Sequence, residues 1–215
     1  ALAARLVRWQ PPRLSGQLMG RGLAAGVCLQ FASYATMASA WHVITTTDTA
    51  DASTKIKEGV VSSKIADQVT EENIRSFYWW EGKVQDDPEI RLSFDAPDKE
   101  KAVSTVAASH NYDVPMIIYP ETTPTGFVMG ELANATPEVA EKLVSSRLVA
   151  CAQLSGASLA IKTTQEASAS VNAVALEASG AVPTWQPIGG NEAYLKWVRE
   201  EVKLPHEQVV KPHST

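Results

Sequence analysis

Cysteine is scarce: the 215 residues hold two, Cys28 and Cys151, in different regions of the chain. That number excludes a disulfide framework and any metal site built of cysteine alone, and it suits a reducing compartment. Acids are missing from residues 1–47, which carry four arginines, Arg5, Arg8, Arg13 and Arg21. The formal charge of −5 therefore hides +4 in that segment and −9 in the remainder. An acidic body lacks the basic footprint that phosphate recognition needs, which sets nucleic acid aside as a partner. Also missing are the glycine-rich nucleotide fingerprints, the H-E-x-x-H zinc motif and the G-x-S-x-G nucleophile elbow. No recognisable catalytic machinery is left, and the expectation is a non-enzymatic protein. Long apolar runs are lacking too. The uncharged stretch 22–47 contains Leu23, Val27, Leu29, Phe31, Tyr34 and Met37, but Gly, Ser, Thr and Gln dilute it. A membrane span needs about 20 predominantly apolar residues.

Residues 1–39 read as a basic extension with the composition of an organellar targeting segment, rich in Ala, Leu, Arg and Ser. Within it, residues 22–39 are a candidate for contact with a membrane or a partner. The expected location is mitochondrial, associated with the inner membrane, with plastid and cytoplasm as alternatives.

What is present beyond residue 39 is a repeat. Val61-Ser62-Ser63-Lys64-Ile65 reads like Val144-Ser145-Ser146-Arg147-Leu148, and Val114-Pro115 like Val182-Pro183. The offsets are 83 and 68, so the second copy lacks 15 residues between the two anchors. Self-similarity of this kind marks duplicated units. Unit 1 spans 40–120, unit 2 spans 125–203, and an irregular tail follows from 204 to 215.

Unit 1 opens with the β-rich run Trp41 to Thr46. Helix caps are available between Asp48 and Ser53, and Ile56 and Val60 lie four apart on one helical face. Ile74 to Trp80 alternates as a strand, with Ile74, Ser76, Tyr78 and Trp80 on one face. Glu81-Gly82 signals a tight hairpin turn, and Glu89 to Phe94 alternates beyond Asp86-Asp87-Pro88. Val103 and Val106 mark a short helix, and Val114 to Tyr119 a closing strand. The order β-α-β-β-α-β is the split ferredoxin-like arrangement. Pro120 to Gly126 has linker chemistry. In unit 2, Phe127 to Met129 restarts the pattern, and Thr136-Pro137-Glu138 is a helix start with Thr as cap. Short strands at 148–154 and 157–163 follow, then helices at 167–178 and 191–202. The fold class is α/β (α+β): two tandem ferredoxin-like units, the first with a long hairpin.

Four strings carry a family resemblance. Tyr78-Trp79-Trp80-Glu81-Gly82-Lys83-Val84-Gln85-Asp86-Asp87-Pro88-Glu89 resembles the long central hairpin of the CutA divalent-cation-tolerance proteins. His110-Asn111-Tyr112-Asp113-Val114-Pro115 resembles their motif before the last core strand. Glu138 to Leu143, running on to Cys151, is similar to their first helix and following strand, and Gly189 to Trp197 to their C-terminal helix. The hairpin and His110 motifs are present in the first unit only, and the Cys and C-terminal motifs in the second only.

The resemblance implies assembly through the hairpin, so Tyr78, Trp79, Trp80, Glu81, Gly82 and Lys83 are the candidate interface. Partner proteins would meet the hairpin and the edge strands. It also implies copper or another divalent ion as a possible cofactor, held by Cys151 and His110, since thiolate and imidazole suit copper or zinc. Asp86, Asp87 and Glu89 are a weaker candidate for a hard cation. The leading expectation is a non-enzymatic accessory subunit of an organellar assembly; the alternative is divalent-metal, chiefly copper, binding and tolerance.

Overall fold

A computed structural model of the chain describes residues 40–205. Strand β1 (Trp41–Thr47) leads to helix α1 (Ala50–Ser62), capped by the Thr49 hydroxyl, which accepts from the Ala52 amide. Strands β2 (Thr70–Trp80) and β3 (Lys83–Ala96) form the hairpin, α2 (Lys99–Ser109) starts at the Asp98 cap, and β4 (Ile117–Pro120) ends the first half. The second half runs β5 (Phe127–Ala133), α3 (Pro137–Ser145), β6 (Cys151–Ser155), β7 (Ser158–Thr164), α4 (Ser168–Ser179) and β8 (Thr184–Gly190). Helix α5 (Glu192–Glu201) follows, capped by the Asn191 side chain.

The expected order strand-helix-strand-strand-helix-strand thus occurs twice, but the halves are not separate units. All eight strands close one barrel in the order β1-β3-β2-β6-β7-β5-β8-β4. Two seams join the halves. Tyr78 faces Cys151 and Arg75 faces Leu154 across the β2–β6 seam, and Ile118 faces Gly190 across the β4–β8 seam. Each seam pairs a strand with the strand of the same rank in the other half, antiparallel. Exchanging the halves therefore maps the ring onto itself. Closure also removes the sheet edges that an open sheet would leave unpaired, except along the overhanging end of the hairpin.

Three cores result. Val43, Leu92, Phe94 and Ile117 pack under α1 and α2 through Ile56, Val60 and Val106. Leu132, Leu159, Ile161 and Phe77 pack under α3 and α4 through Val139, Leu143 and Val171. The third joins the opposite strand faces, with Ile118, Met129, Cys151 and Ile188, to Tyr194 and Val198 of α5. Helices α1 to α4 thus cover the outside of the barrel.

Several boundaries differ from the sequence reading. The hairpin strands are longer, because Asp86-Asp87-Pro88 continues β3 instead of preceding it. Pro88 is tolerated because β1 pairs with β3 only from Ile90 onward, leaving that edge open. Strand β4 begins at Ile117; Val114 is exposed and outside it. Strand β6 begins at Cys151, since Leu148 to Ala150 still belong to the turn after α3. Strand β8 takes the fourth-strand place of the second unit, to which the sequence reading assigned no residues: its Pro187 and double glycine mask a strand pattern. Gly189-Gly190 closes this strand and does not open the last helix. The Thr136 hydroxyl bonds the Glu138 carboxylate and makes no cap bond to the backbone.

The two halves share one device and differ in another. The V-S-S-K/R repeat is the same structural device twice. Ser63 and Ser146 cap α1 and α3, and Lys64 (φ 54°) and Arg147 (φ 61°) each turn the chain in the left-handed region. The second hairpin is short, with strands of 5 and 7 residues against 11 and 14 in the first. No helix among the described residues is long and apolar enough to cross a membrane. The expectations for 1–39 and for the tail beyond 205 lie outside the described residues.

Candidate functional site: an aromatic cleft beside the hairpin

The strand register puts Ser76, Tyr78, Cys151 and Gln153 on one shared face at the β2–β6 seam. On β3, Glu89 faces Ile74, and Asp87 faces Ser76, so these acids point the same way. Helix α5 and the loop between α2 and β4 close over this face. Together they form a cleft of about 610 Å³. Its walls are Tyr78 and Trp80 from the hairpin, Tyr112 from the loop, and Tyr194 and Trp197 from α5. Tyr194 and Trp197 stack at 5.6 Å between ring centroids. Met116, Val114 and Cys151 add apolar surface; Glu89, Asp113 and Gln153 add polar groups.

Asp86, Asp87 and Glu89 are each placed by a donor. The Tyr78 hydroxyl donates to Asp87 (2.7 Å), and the Tyr112 hydroxyl donates to Glu89 (3.1 Å), which also accepts from Ser76. Asp86 points away and pairs with Arg75, whose Nε donates at 3.0 Å. Burial and the neighbouring carboxylates push the Tyr78 and Tyr112 phenols above their usual range. Asp86, Asp87 and Glu89 therefore do not converge as a hard-cation site. Among the described residues, no three of His, Cys, Asp and Glu converge for a metal.

The two metal candidates are in different surroundings. Cys151 is buried on the cleft, its Sγ 3.2 Å from the Tyr194 hydroxyl, and burial raises its thiol above the ordinary value. His110 caps α2 and lines a separate cleft between the α1 and α2 ends. Its Nε2–H donates to the Thr46 carbonyl (2.9 Å), and its Nδ1 accepts from the Tyr112 amide (3.0 Å). Both ring nitrogens are thus engaged, and burial lowers its pKa and favours the neutral ring.

The six hairpin candidates divide. Tyr78 and Trp80 line the cleft. Trp79 packs against the α3–α4 core, with the Arg147 guanidinium 4.6 Å from its ring centroid. Glu81 (φ 50°) and Gly82 (φ 81°) form the tip turn before Lys83, in the left-handed conformation at both central positions that a twisted two-residue hairpin requires. Trp80 is 53% exposed.

Sequence reasoning missed Lys162. It sits inside the run Leu159 to Thr164, fully buried, its ammonium donating to Gln153 Oε1 and the Ala160 carbonyl. A charged residue within a strand otherwise suited to burial was the available signal.

The family model described as CutA1 divalent ion tolerance protein matches residues 41–125. It stops short of the second-half strings. The chain is 32% identical over 101 residues to "Protein CutA 1, chloroplastic" of Oryza sativa subsp. japonica, covering 46% of this chain and 57% of that protein. It therefore spans little more than half the length of that relative. Among solved structures, CutA1 from Oryza sativa is 33% identical with a TM-score of 0.36, covering 38% of this chain and 77% of that one. Pyrococcus horikoshii CutA is 27% identical with a TM-score of 0.34, covering 37% of this chain and 80% of that one. Residues 41–125, which carry the hairpin and the His110 motif, match the CutA1 divalent ion tolerance family.

Proposed function

We propose that this protein is a non-enzymatic CutA-family member that acts through protein contacts made by the β2–β3 hairpin. One observation carries the reading: the hairpin outruns its neighbours. Strand β6 pairs with β2 only over Arg75 to Tyr78, and β1 pairs with β3 only from Ile90 to Ala96. The outer edge of β3 from Lys83 to Glu89 is left without a second strand, beside the exposed Trp80 ring. An unpaired edge next to a large aromatic is suited to strand addition by a partner. The doubled element order, the matching left-handed caps and the exchange symmetry of the barrel support a duplicated ferredoxin-like unit. In that duplication the first copy kept the hairpin and the second kept the cysteine. The setting is an organellar assembly. The acid-free, arginine-bearing segment 1–47 supports an organelle, and the likeness to a chloroplastic rice protein favours a plastid over a mitochondrion.

The test is native purification of the full chain from its source cells, with size and partners recorded, beside a Trp80→Lys chain. The expected result is co-migration with a larger assembly that Trp80→Lys leaves. A wild-type chain that runs as a free monomer overturns the reading.

A second reading, copper binding, has its own observation: the Cys151 thiol and the Met116 thioether line the same cleft. Soft sulfur ligands suit Cu(I). Stoichiometric copper uptake that disappears in Cys151→Ala supports it, and uptake that survives that change removes it.

A further inference from the structure

We propose that the aromatic cleft binds a small organic cation, an ammonium group carrying apolar substituents. This goes beyond the hairpin contact, because it assigns a ligand to the space that α5 and the α2–β4 loop enclose. The volume, about 610 Å³, is that of a small-molecule site. Five aromatic side chains face it, two of them tryptophans, and two carboxylates, Glu89 and Asp113, stand in its wall. None of the thirteen lining residues is Lys, Arg or His. The nearest buried cation, Lys162, is turned to Gln153 and the Ala160 carbonyl and does not line the space.

Three classes of ligand fit less well. An anion would meet two carboxylates and no positive partner. A neutral apolar molecule would cover the carboxylates with nothing to balance their charge, at a desolvation cost. A hard metal ion wants several oxygen ligands at close range, whereas Glu89 already accepts from Ser76 and Tyr112. A diffuse organic cation satisfies the negative wall at a distance and lays its apolar groups on ring faces, where the quadrupole attracts it. The phenols add to the field. Tyr78 and Tyr112 donate their protons to Asp87 and Glu89, and the Asp48 carboxylate acts on both phenols as well.

Isothermal titration of the full chain with benzyltrimethylammonium tests the site, with benzyl alcohol and benzenesulfonate as neutral and anionic probes. The expected result is saturable one-to-one binding of the ammonium, weakened about tenfold in Glu89→Gln and several-fold in Asp113→Asn. Benzyl alcohol and benzenesulfonate bind at least about tenfold more weakly. Should Glu89→Gln fail to fold, Asp113→Asn decides, because Asp113 is exposed on a loop. Equal binding of benzyl alcohol, absence of ammonium binding, or binding indifferent to the acid substitutions overturns the proposal. Light scattering on Asp113→Asn, which lies off the hairpin, separates a lost ligand site from a lost partner contact.

Discussion

Lys162 is the residue whose chemistry departs furthest from its ordinary state. Burial pulls its ammonium down to about 8, only partly opposed by Cys151, Glu89 and Glu131, with Arg91 pushing the same way as burial. The unfolded chain holds that proton up to the ordinary lysine value of 10.5. Between those limits the unfolded state binds more protons, so stability rises with pH. Cys151 works in the opposite sense above 9.0, where its thiol ionises in the unfolded chain but stays protonated in the fold. Urea unfolding at pH 8 and pH 9 is therefore expected to show a gain of about 1 kcal/mol, and Lys162→Met to flatten it. His110 sets a second dependence. Its lowered pKa means that the unfolded chain takes up a proton first as pH falls. Its contribution is present above pH 6.5 and is lost as pH drops through its folded value, as the Nδ1 that accepts from Tyr112 becomes protonated. His110→Ala is expected to remove the part of the acid-limb slope in urea unfolding near pH 6 that this imidazole supplies. At this scale the sequence was legible for residues in alternating strands: Ser76 and Tyr78 fell on the predicted face. It was silent on Lys162 and Gln153, because their partnership depends on two strands meeting across a hairpin.

At the scale of elements, the turn and the seam respond differently to the same change. Gly82→Ala places a β-carbon at φ 81° but in open space, so the cost is conformational, about 1 kcal/mol by chemical denaturation. Gly190→Ala drives its β-carbon into the Ile117 carbonyl at the β4–β8 seam, where backbone must move. It is expected to cost at least about 3 kcal/mol, with loss of the cooperative transition as the stronger outcome. The ranking of the two variants by thermal melting checks the seam. Helices were readable here because Ile56, Val60, Val139 and Leu143 keep helical spacing and do face their cores. Strand β8 was not readable, because Trp185-Gln186-Pro187-Ile188-Gly189-Gly190 lacks the β-branched alternation that marks a strand. It is a strand because β4 and β5 flank it on both sides. The V-S-S repeat was legible because a left-handed cap tolerates few arrangements, so the same short string recurs where the same turn is needed.

For the whole molecule, closure of the barrel was the feature no local pattern could announce. Periodicity reports which face of a strand is buried, not which strand covers its edge. Both halves present the expected element order, yet each leaves β2 and β4, or β6 and β8, as edges that only the other half fills. Residues 40–125 expressed alone are expected to self-associate through those edges. Mixing with residues 126–205 is expected to restore a one-to-one complex on size exclusion. Two halves that each run as stable monomers would show the seams to be dispensable.

The exchange symmetry of the ring has a further meaning when the ring is one chain. In a barrel closed by two identical chains, every substitution is made at two places at once, and a change useful at one must be tolerated at the other. A single chain frees each side from its twin. The long hairpin can lean on one flank while the opposite flank shortens to strands of 5 and 7 residues, and a buried lysine can sit on β7 while Glu89 stands on β3. Such a molecule has a left and a right, and a partner or ligand that meets it finds one orientation where a twinned ring would offer two.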